Sequence, residues 1–509
     1  MGLASRADSL HALGEREFDL LVIGGGIIGA GIAAAASHQG LAVALVDGSD
    51  FGGATSSSSS KLIHGGLRYL RLGDVRLVRE AHEERRHLMT LVAPHLVHQI
   101  PFMMPLYEQG PYRPWVVQSG IAIYSTLARA RLNGLVEPAR ARRMVPDLRL
   151  EGLRKCGLYV DCWTNDSRLT LANVRAVAEQ GGTVVNYAEV AALRLERGAV
   201  RGAEVRADGA TIPVSARAVV NASGPWLDSV RLLEDPRTGR SIRLSRGVHV
   251  LLEPEGGWSA ALTIPHDKVR VSFAVPWQGM LLLGTTDSLW EGDPASVGVE
   301  EGEIEQVLAE AAVALRPQLV ARERVRSSYA GLRVLPGGAG STTSARRETV
   351  YSRGKGGMLS VAGGKLTTYR RIALDALGEL RAELGLHRID RRPWPLPGAT
   401  GLDRMRLPLE VEPALRSHLR QLYGSLAGEV LAPVLDDARL LEPLARGAPD
   451  IAAQALYAAR SEWARSAEDV LRRRTTLALR GLGGAELTRR VDELIGLRAQ
   501  PALVGRDHT

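Results

Sequence analysis

The sequence predicts an α/β fold in three parts: a discontinuous domain built on a parallel sheet, an α+β substrate (cap) domain inserted into it, and an all-α C-terminal domain. Three observations predict it. Near the N-terminus an apolar run, Phe18 to Ile23, enters Gly24-Gly25-Gly26-Ile27-Ile28-Gly29 and then an alanine-rich stretch, Ala30 to Gln39. Late in the chain a second apolar run, Met358 to Ala362, breaks at Gly363-Gly364 before another helix-forming stretch. Beyond the proline-rich break Pro393 to Gly398 the pattern is helical, with hardly an interruption by Gly or Pro from Ile451 to Leu479.

The first junction has the parts of a dinucleotide site. A short run that is apolar throughout reads as a buried parallel strand. The pattern G-x-G-x-x-G follows it directly, opens a helix, and is succeeded by a second strand, Leu41 to Val46, ending in Asp47. Gly24 permits the tight turn, Gly26 leaves the backbone open to a pyrophosphate, and Gly29 lets the helix lie close to the strand. The helix N-terminus offers unpaired N–H groups and a positive dipole end. Asp47, about 20 residues beyond the glycines, is placed to accept hydrogen bonds from ribose hydroxyls. This is a Rossmann-like arrangement, predicted over residues 16–95, 155–240 and 330–392, with the cap at 96–154 and 241–329 and the helical domain at 399–509.

The next segments narrow the dinucleotide to FAD. Ala54-Thr55-Ser56 through Ser60-Lys61-Leu62-Ile63-His64-Gly65-Gly66-Leu67-Arg68-Tyr69 groups hydroxyls and glycines after the second strand, able to wrap a large polar cofactor. Val200 to Val205, Asp208-Gly209 and Thr211 to Val214 read as a hairpin. The apolar Ala218-Val219-Val220 then ends in Asn221-Ala222-Ser223-Gly224-Pro225-Trp226. At the second strand–glycine–helix junction, N–H groups and hydroxyls can face a flavin ring. The predicted cofactor residues are Gly24, Gly26, Gly29, Asp47, Thr55, Ser56, Ser60, Lys61, His64, Gly65, Val190, Ser223, Gly224, Trp226, Gly364, Lys365, Leu366 and Thr367.

With these motifs the chain resembles the FAD-dependent glycerol-3-phosphate dehydrogenases, among the D-amino-acid-oxidase-like flavoproteins. The resemblance spans roughly residues 18 to 480 and also rests on Gly284-Thr285-Thr286-Asp287 and Lys365-Leu366-Thr367-Thr368-Tyr369-Arg370. It implies oxidation of sn-glycerol 3-phosphate at C2 to dihydroxyacetone phosphate by hydride transfer to FAD, with a membrane quinone as electron acceptor. Oxygen as acceptor, or another polyol phosphate as substrate, is the alternative. The positions matching the family's substrate clamp are Arg68, Tyr69, Arg333, Arg347 and Lys365, and arginine suits a phosphate because its planar fork donates paired hydrogen bonds. For the base the match offers both His249 and His64, with Arg333 beside them; an imidazole titrates near the working pH. Asp47 stands where glutamate is commoner in the family, Val334 where proline is usual, and Arg346 where a small or hydroxyl residue is frequent.

Composition removes other classes. With 509 residues, 45% hydrophobic and 24% charged, the chain is an ordinary globular one of two or three domains. Its two cysteines, Cys156 and Cys162, are too few for a disulfide scaffold and fit reduced thiols in a cytosolic protein. No Cys/His cluster has metal-ligand spacing, so no metal is expected. The net charge of +8 comes from arginines spread among acids, which argues against nucleic acid. The apolar stretch Pro114 to Ala128 falls short of the ~20 residues needed to span a bilayer. With Tyr112, Trp115 and the flanking Arg113, Arg129 and Arg131, the segment 112–131 reads either as interfacial on an anionic inner leaflet or as a buried core helix. The expected location is cytoplasmic and peripheral to the membrane, with a homo-oligomer left open.

Overall fold

The computed structural model describes residues 3–67, 74–129, 134–268, 270–337 and 349–496. Two sheets organise them. The first has eight strands. At its centre lies Glu17–Ile23, whose last four residues are all buried, as an apolar strand covered on both faces must be. It pairs in parallel with Ala210–Asn221 on one side and Val43–Val46 on the other. Leu359–Gly363 adds in parallel beyond the former and Thr183–Val185 beyond the latter. The predicted hairpin is present: Ala199–Ala207 turns at Asp208 and Gly209, both at positive φ, into Ala210–Asn221. Helix Ile27–His38, buried along most of its length, packs between helices Asp166–Glu179 and Tyr369–Glu379.

Four of the parallel strands thus end side by side, at Ile23, Val46, Asn221 and Gly363. Each exit is one of the sequence motifs: the glycine turn, Asp47 with its hydroxyl loop, Asn221 to Trp226, and Gly364-Lys365. Ligands of open α/β sheets bind outside the carboxyl ends of the strands, so the topology gathers the four motifs around one crevice.

The second sheet has ten strands, mostly antiparallel. Its long members are Val97–Tyr107, Leu153–Thr164, Ile242–Leu252 and Val325–Pro336. The two-residue strand Leu62–Ile63 also belongs to it, paired with Leu153–Thr164. The sheets therefore divide the chain after Thr164 and Pro336 rather than at the predicted 155 and 330. Leu153–Thr164 stays paired with Val97–Tyr107 over its whole length, and Val325–Pro336 stays paired with Ile242–Leu252 to its last residue.

The C-terminal part is helical but less continuous than the sequence suggests. Helix Ala452–Ser461 stops at Glu462, and a short helical stretch from Ala467 to Arg474 follows. Trp463 takes a positive φ of 59°. The signal missed was a capping box, Ser466 with Asp469, which starts a new helix inside an otherwise uniform pattern.

Helix Pro114–Leu127 has a buried side and an exposed one. It buries Val117, Ile121 and Tyr124 while leaving Trp115 at 70% and Ile123 at 52% exposure. Among the described residues no helix is long and apolar enough to cross a membrane. Arg131 lies outside the described residues.

Candidate functional site

The crevice is a cavity of about 1400 Å³, larger than the roughly 300–1,000 Å³ of an ordinary ligand pocket. The cofactor half is built from the strand exits. Gly24 has φ +104°, and a Cβ there would stand 2.6 Å from Ala222 O; only glycine can make this turn. At Gly29 a Cβ would meet Gly24 O at 1.8 Å, so this residue serves helix–strand packing, as predicted, from behind the cavity wall. Gly26 is the N-cap of Ile27–His38 and lines the cavity. Ser56 Oγ accepts from Ile27 N at 2.8 Å, and Thr55 Oγ1 donates to Leu332 O at 2.6 Å; the hydroxyl loop is thereby tied to the helix that opens at Ile27 and to the second sheet.

Asp47 lines the cavity, yet its oxygens are already engaged. Oδ2 accepts from Gly25 N at 2.7 Å and Oδ1 from Ser49 N at 2.8 Å. Burial pushes its carboxyl up to about 6, against the pull of these hydrogen bonds. On the facing wall Asn221 Oδ1 accepts from Ser223 N at 3.2 Å and Ser223 Oγ at 2.7 Å, which sets Ser223, Gly224 and Trp226 along the cavity with Val190. Gly364, Lys365, Leu366 and Thr367 line it from the fourth exit. Thr367 Oγ1 accepts from His64 N at 3.1 Å, joining the two most specific motifs.

His249 and Arg333 face the same cavity from the second sheet. His249 lies opposite both Tyr329 and Gly284 in the strand register. Its ring stacks on Tyr329, centroids 4.9 Å apart, and its Nε2 is 2.8 Å from Ser60 Oγ. Nδ1 is buried with no hydrogen-bond partner among the described residues. Burial, then the charges of Arg333 and Lys61, hold this imidazole well below its usual range, so it rests neutral. Arg333 Nη2 donates to Thr285 Oγ1 at 2.9 Å, and its Nη1 stands 3.7 Å from Asp287. His64, half-buried, also lines the cavity. A Cβ at residue 284 would stand 2.5 Å from His249 Cδ2. Gly284→Ala is therefore expected to displace the imidazole and lower kcat by roughly 100-fold, with flavin absorbance per protein unchanged; an unaltered kcat would remove His249 from the chemistry.

Two predicted cofactor contacts are corrected. Lys61 is fully buried and does not line the cavity; its Nζ pairs with Asp166 Oδ1 at 2.7 Å, because an ammonium deprived of water needs a carboxylate. Gly65 is likewise behind the wall, its N–H donating to Asp161 Oδ1 at 3.2 Å. Arg68, Tyr69 and Arg347 lie outside the described residues. The residues missed are Thr285, which orients Arg333, and Tyr329, which carries the face of His249. Thr285 stands in Gly284-Thr285-Thr286-Asp287 and Tyr329 opens Tyr329-Ala330-Gly331-Leu332-Arg333, but nothing local shows which side chain each one supports.

The family described as FAD dependent oxidoreductase matches residues 19–370. The chain belongs to that family. Residues 392–499 match a second one, the C-terminal domain of alpha-glycerophosphate oxidase. The glycerol-3-phosphate dehydrogenase 2 of Mycobacterium tuberculosis strain H37Rv is 35% identical, over 97% of this chain and 87% of its own length. A D-erythritol 1-phosphate dehydrogenase from Brucella abortus is also 35% identical, over 90% of this chain and 94% of its own. Among solved structures, the glycerol-3-phosphate dehydrogenase of Bacillus halodurans complexed with FAD superposes with a TM-score of 0.75 at 26% identity, covering 98% of this chain and 99% of that one. The chain is thus an FAD enzyme of the glycerol-3-phosphate dehydrogenase and oxidase family. The glycine turn, the helix N-terminus and the hydroxyl loop present the donors that FAD requires.

Proposed function

We propose that this protein oxidises sn-glycerol 3-phosphate at C2 to dihydroxyacetone phosphate and passes the electrons to a membrane quinone. One observation carries the reading: a neutral, buried His249 and two cations, Arg333 and Lys365, share a cavity with the FAD-binding wall. FAD, when bound, supplies the hydride acceptor. The guanidinium of Arg333, braced by Thr285, holds the phosphate. A ring nitrogen of His249 takes the C2 hydroxyl proton, with His64 as the other base within the site. The test is anaerobic: the flavin should bleach with sn-glycerol 3-phosphate, and no bleaching would sink the proposal. The 35% identity to an erythritol phosphate enzyme favours a longer polyol phosphate as second reading, so D-erythritol 1-phosphate belongs in the same experiment.

Replacing Arg333 by alanine is expected to cost about 2–5 kcal/mol of substrate binding, the range for truncating a buried charge pair, or roughly 30-fold to several-thousand-fold in kcat/KM. Inorganic sulfate should then no longer inhibit competitively. Retained affinity would take Arg333 out of the clamp.

The quinone reading draws on apolar side chains in the cavity lining, Phe102, Met104, Val117, Ile121 and Phe273. Val117 and Ile121 belong to helix Pro114–Leu127, whose exposed Trp115 and Ile123 suit a cytoplasmic membrane surface. Turnover with a quinone analogue against peroxide release in air separates it from an oxidase.

A further inference from the structure

The loop from Gly48 to Ser60 has two sides. Ser49, Gly53, Thr55 and Ser56 face the FAD cavity. Asp50 and Phe51 face the other way, onto the C-terminal domain. Asp50 is 2% exposed. Its Oδ2 accepts from Arg473 Nε at 2.5 Å and also from Arg474 Nη1. Its Oδ1 accepts from Arg474 Nη2 at 2.8 Å and from Asn186 Nδ2 at 3.0 Å. Arg473 also holds Asp469 at 2.6 Å, within its own domain. The Phe51 ring is wedged between the domains: it meets Trp463 edge-on at 5.7 Å, and its Cδ1 stands 2.4 Å from where a Cβ on Gly25 would lie.

This is an expensive contact if docking were its only purpose. Two guanidiniums and a carboxylate are withdrawn from water, and apolar side chains of the same size would hold two domains together at least as well. What a fully bonded carboxylate adds is direction: it fixes one geometry of the loop. The loop needs fixing. It contains one short 3-10 turn, Thr55–Ser57, and its inner ties to the glycine turn are few: Asp47 to Gly25 N, Gly52 N to Gly25 O and Ser56 to Ile27 N. A glycine-rich loop of this kind loses much conformational freedom when it closes on a ligand.

We propose that Asp50, clamped by Arg473 and Arg474, is a positioning residue for FAD: the C-terminal domain braces the cofactor loop from behind and orders it before FAD arrives. A binding loop already in its bound shape keeps the ordering cost out of the affinity. Coupling of this sort is reciprocal, so bound FAD also tightens the docking of the C-terminal domain. The inference rests on the FAD site alone and stands whichever polyol phosphate is oxidised.

The test compares two variants that each break a buried ion pair between the same domains. Asp50→Asn removes the charge under the loop. Glu462→Gln removes the partner of Arg168, a pair 2.7 Å apart with both side chains buried, and touches no loop residue. FAD affinity is read from flavin fluorescence as holoenzyme is diluted. Hydrogen exchange of residues 463–474 is followed with and without FAD. Asp50→Asn should weaken FAD binding by about 5–150-fold, the usual span of a coupling between sites. It should also abolish the FAD-dependent protection of residues 463–474, while Glu462→Gln keeps both near wild type. Should Asp50→Asn fail to fold, Arg473→Gln, which leaves Arg474 on Asp50, should give a smaller change in the same direction. Unchanged FAD affinity in the loop variants, or equal weakening in Glu462→Gln, would overturn the proposal.

Discussion

Replacing Asp166 by alanine should destabilise the protein by about 3–5 kcal/mol, the cost of leaving one buried charge without its partner, and release FAD. Asp166 and Lys61 are both fully buried, 2.7 Å apart. Lys61 Nζ also donates to Ser57 O at 3.1 Å, and Asp166 Oδ2 accepts from Ser59 N at 3.1 Å and Ser59 Oγ at 2.7 Å. The pair therefore pins alternate residues of the hydroxyl loop, Ser57 and Ser59, from beneath. With Asp166 gone, the ammonium faces the rings of Trp277 and Tyr329, 4.9 and 5.3 Å away, which are weak substitutes for a carboxylate. Burial already lowers the lysine amine despite Asp166, so in the variant it should fold neutral. Urea unfolding and flavin content check this together. A loss under about 0.5 kcal/mol, the range of an ordinary surface substitution, would show that the loop does not depend on the pair. Asp166→Asn, which keeps an acceptor for Ser59, should lose less.

The same pair shows where the sequence stops being legible. The glycine turn, Asp47, Asn221 to Trp226 and Gly364-Lys365 are readable because each is a local event, a strand exit with its own turn chemistry, and the parallel topology then gathers them. Lys61 sits inside such a motif and was read with it. Its partner is 105 residues away, and no local pattern reports which way a side chain turns. Likewise His249 gains its character from Tyr329 and Gly284, brought opposite by strand register; its position was reached by family resemblance, its neutral state only by the geometry. In sequence the C-terminal run Arg472-Arg473-Arg474 stands beside Glu468 and Asp469, which points to a local ion-pair network. Arg473 does hold Asp469, but both Arg473 and Arg474 also reach back to Asp50 in the FAD-binding domain, which makes a surface-looking motif part of the cofactor site's support.

Mild acid should unfold this protein by titrating histidines rather than carboxylates. His82, His95 and His249 are each at least 95% buried. Burial is the main cause that lowers all three, His82 and His95 to about 3 and His249 well below the ordinary value. Neither ring nitrogen of His82 has a hydrogen-bond partner among the described residues. The unfolded chain takes up a proton at each near pH 6.5 while the folded chain does not, so the unfolded state binds more protons and stability falls as pH drops below that value. At about pH 5 each histidine costs about 2 kcal/mol, and the three together about 6 kcal/mol. His98, half-buried and lowered to about 4, adds nearly as much as each of these at about pH 5. Asp47 acts the other way. Its folded carboxyl, raised to about 6, binds a proton before the unfolded one does and returns about 1 kcal/mol at the same pH. The net loss is comparable with the whole stability of a typical domain, about 5–15 kcal/mol. Urea midpoints should hold steady between pH 8 and 7 and fall steeply between about 6.5 and 5. His95→Gln, which cannot titrate, should flatten that slope by about a third. A midpoint constant down to pH 5 would mean that these imidazoles find protons, or partners, in the folded state.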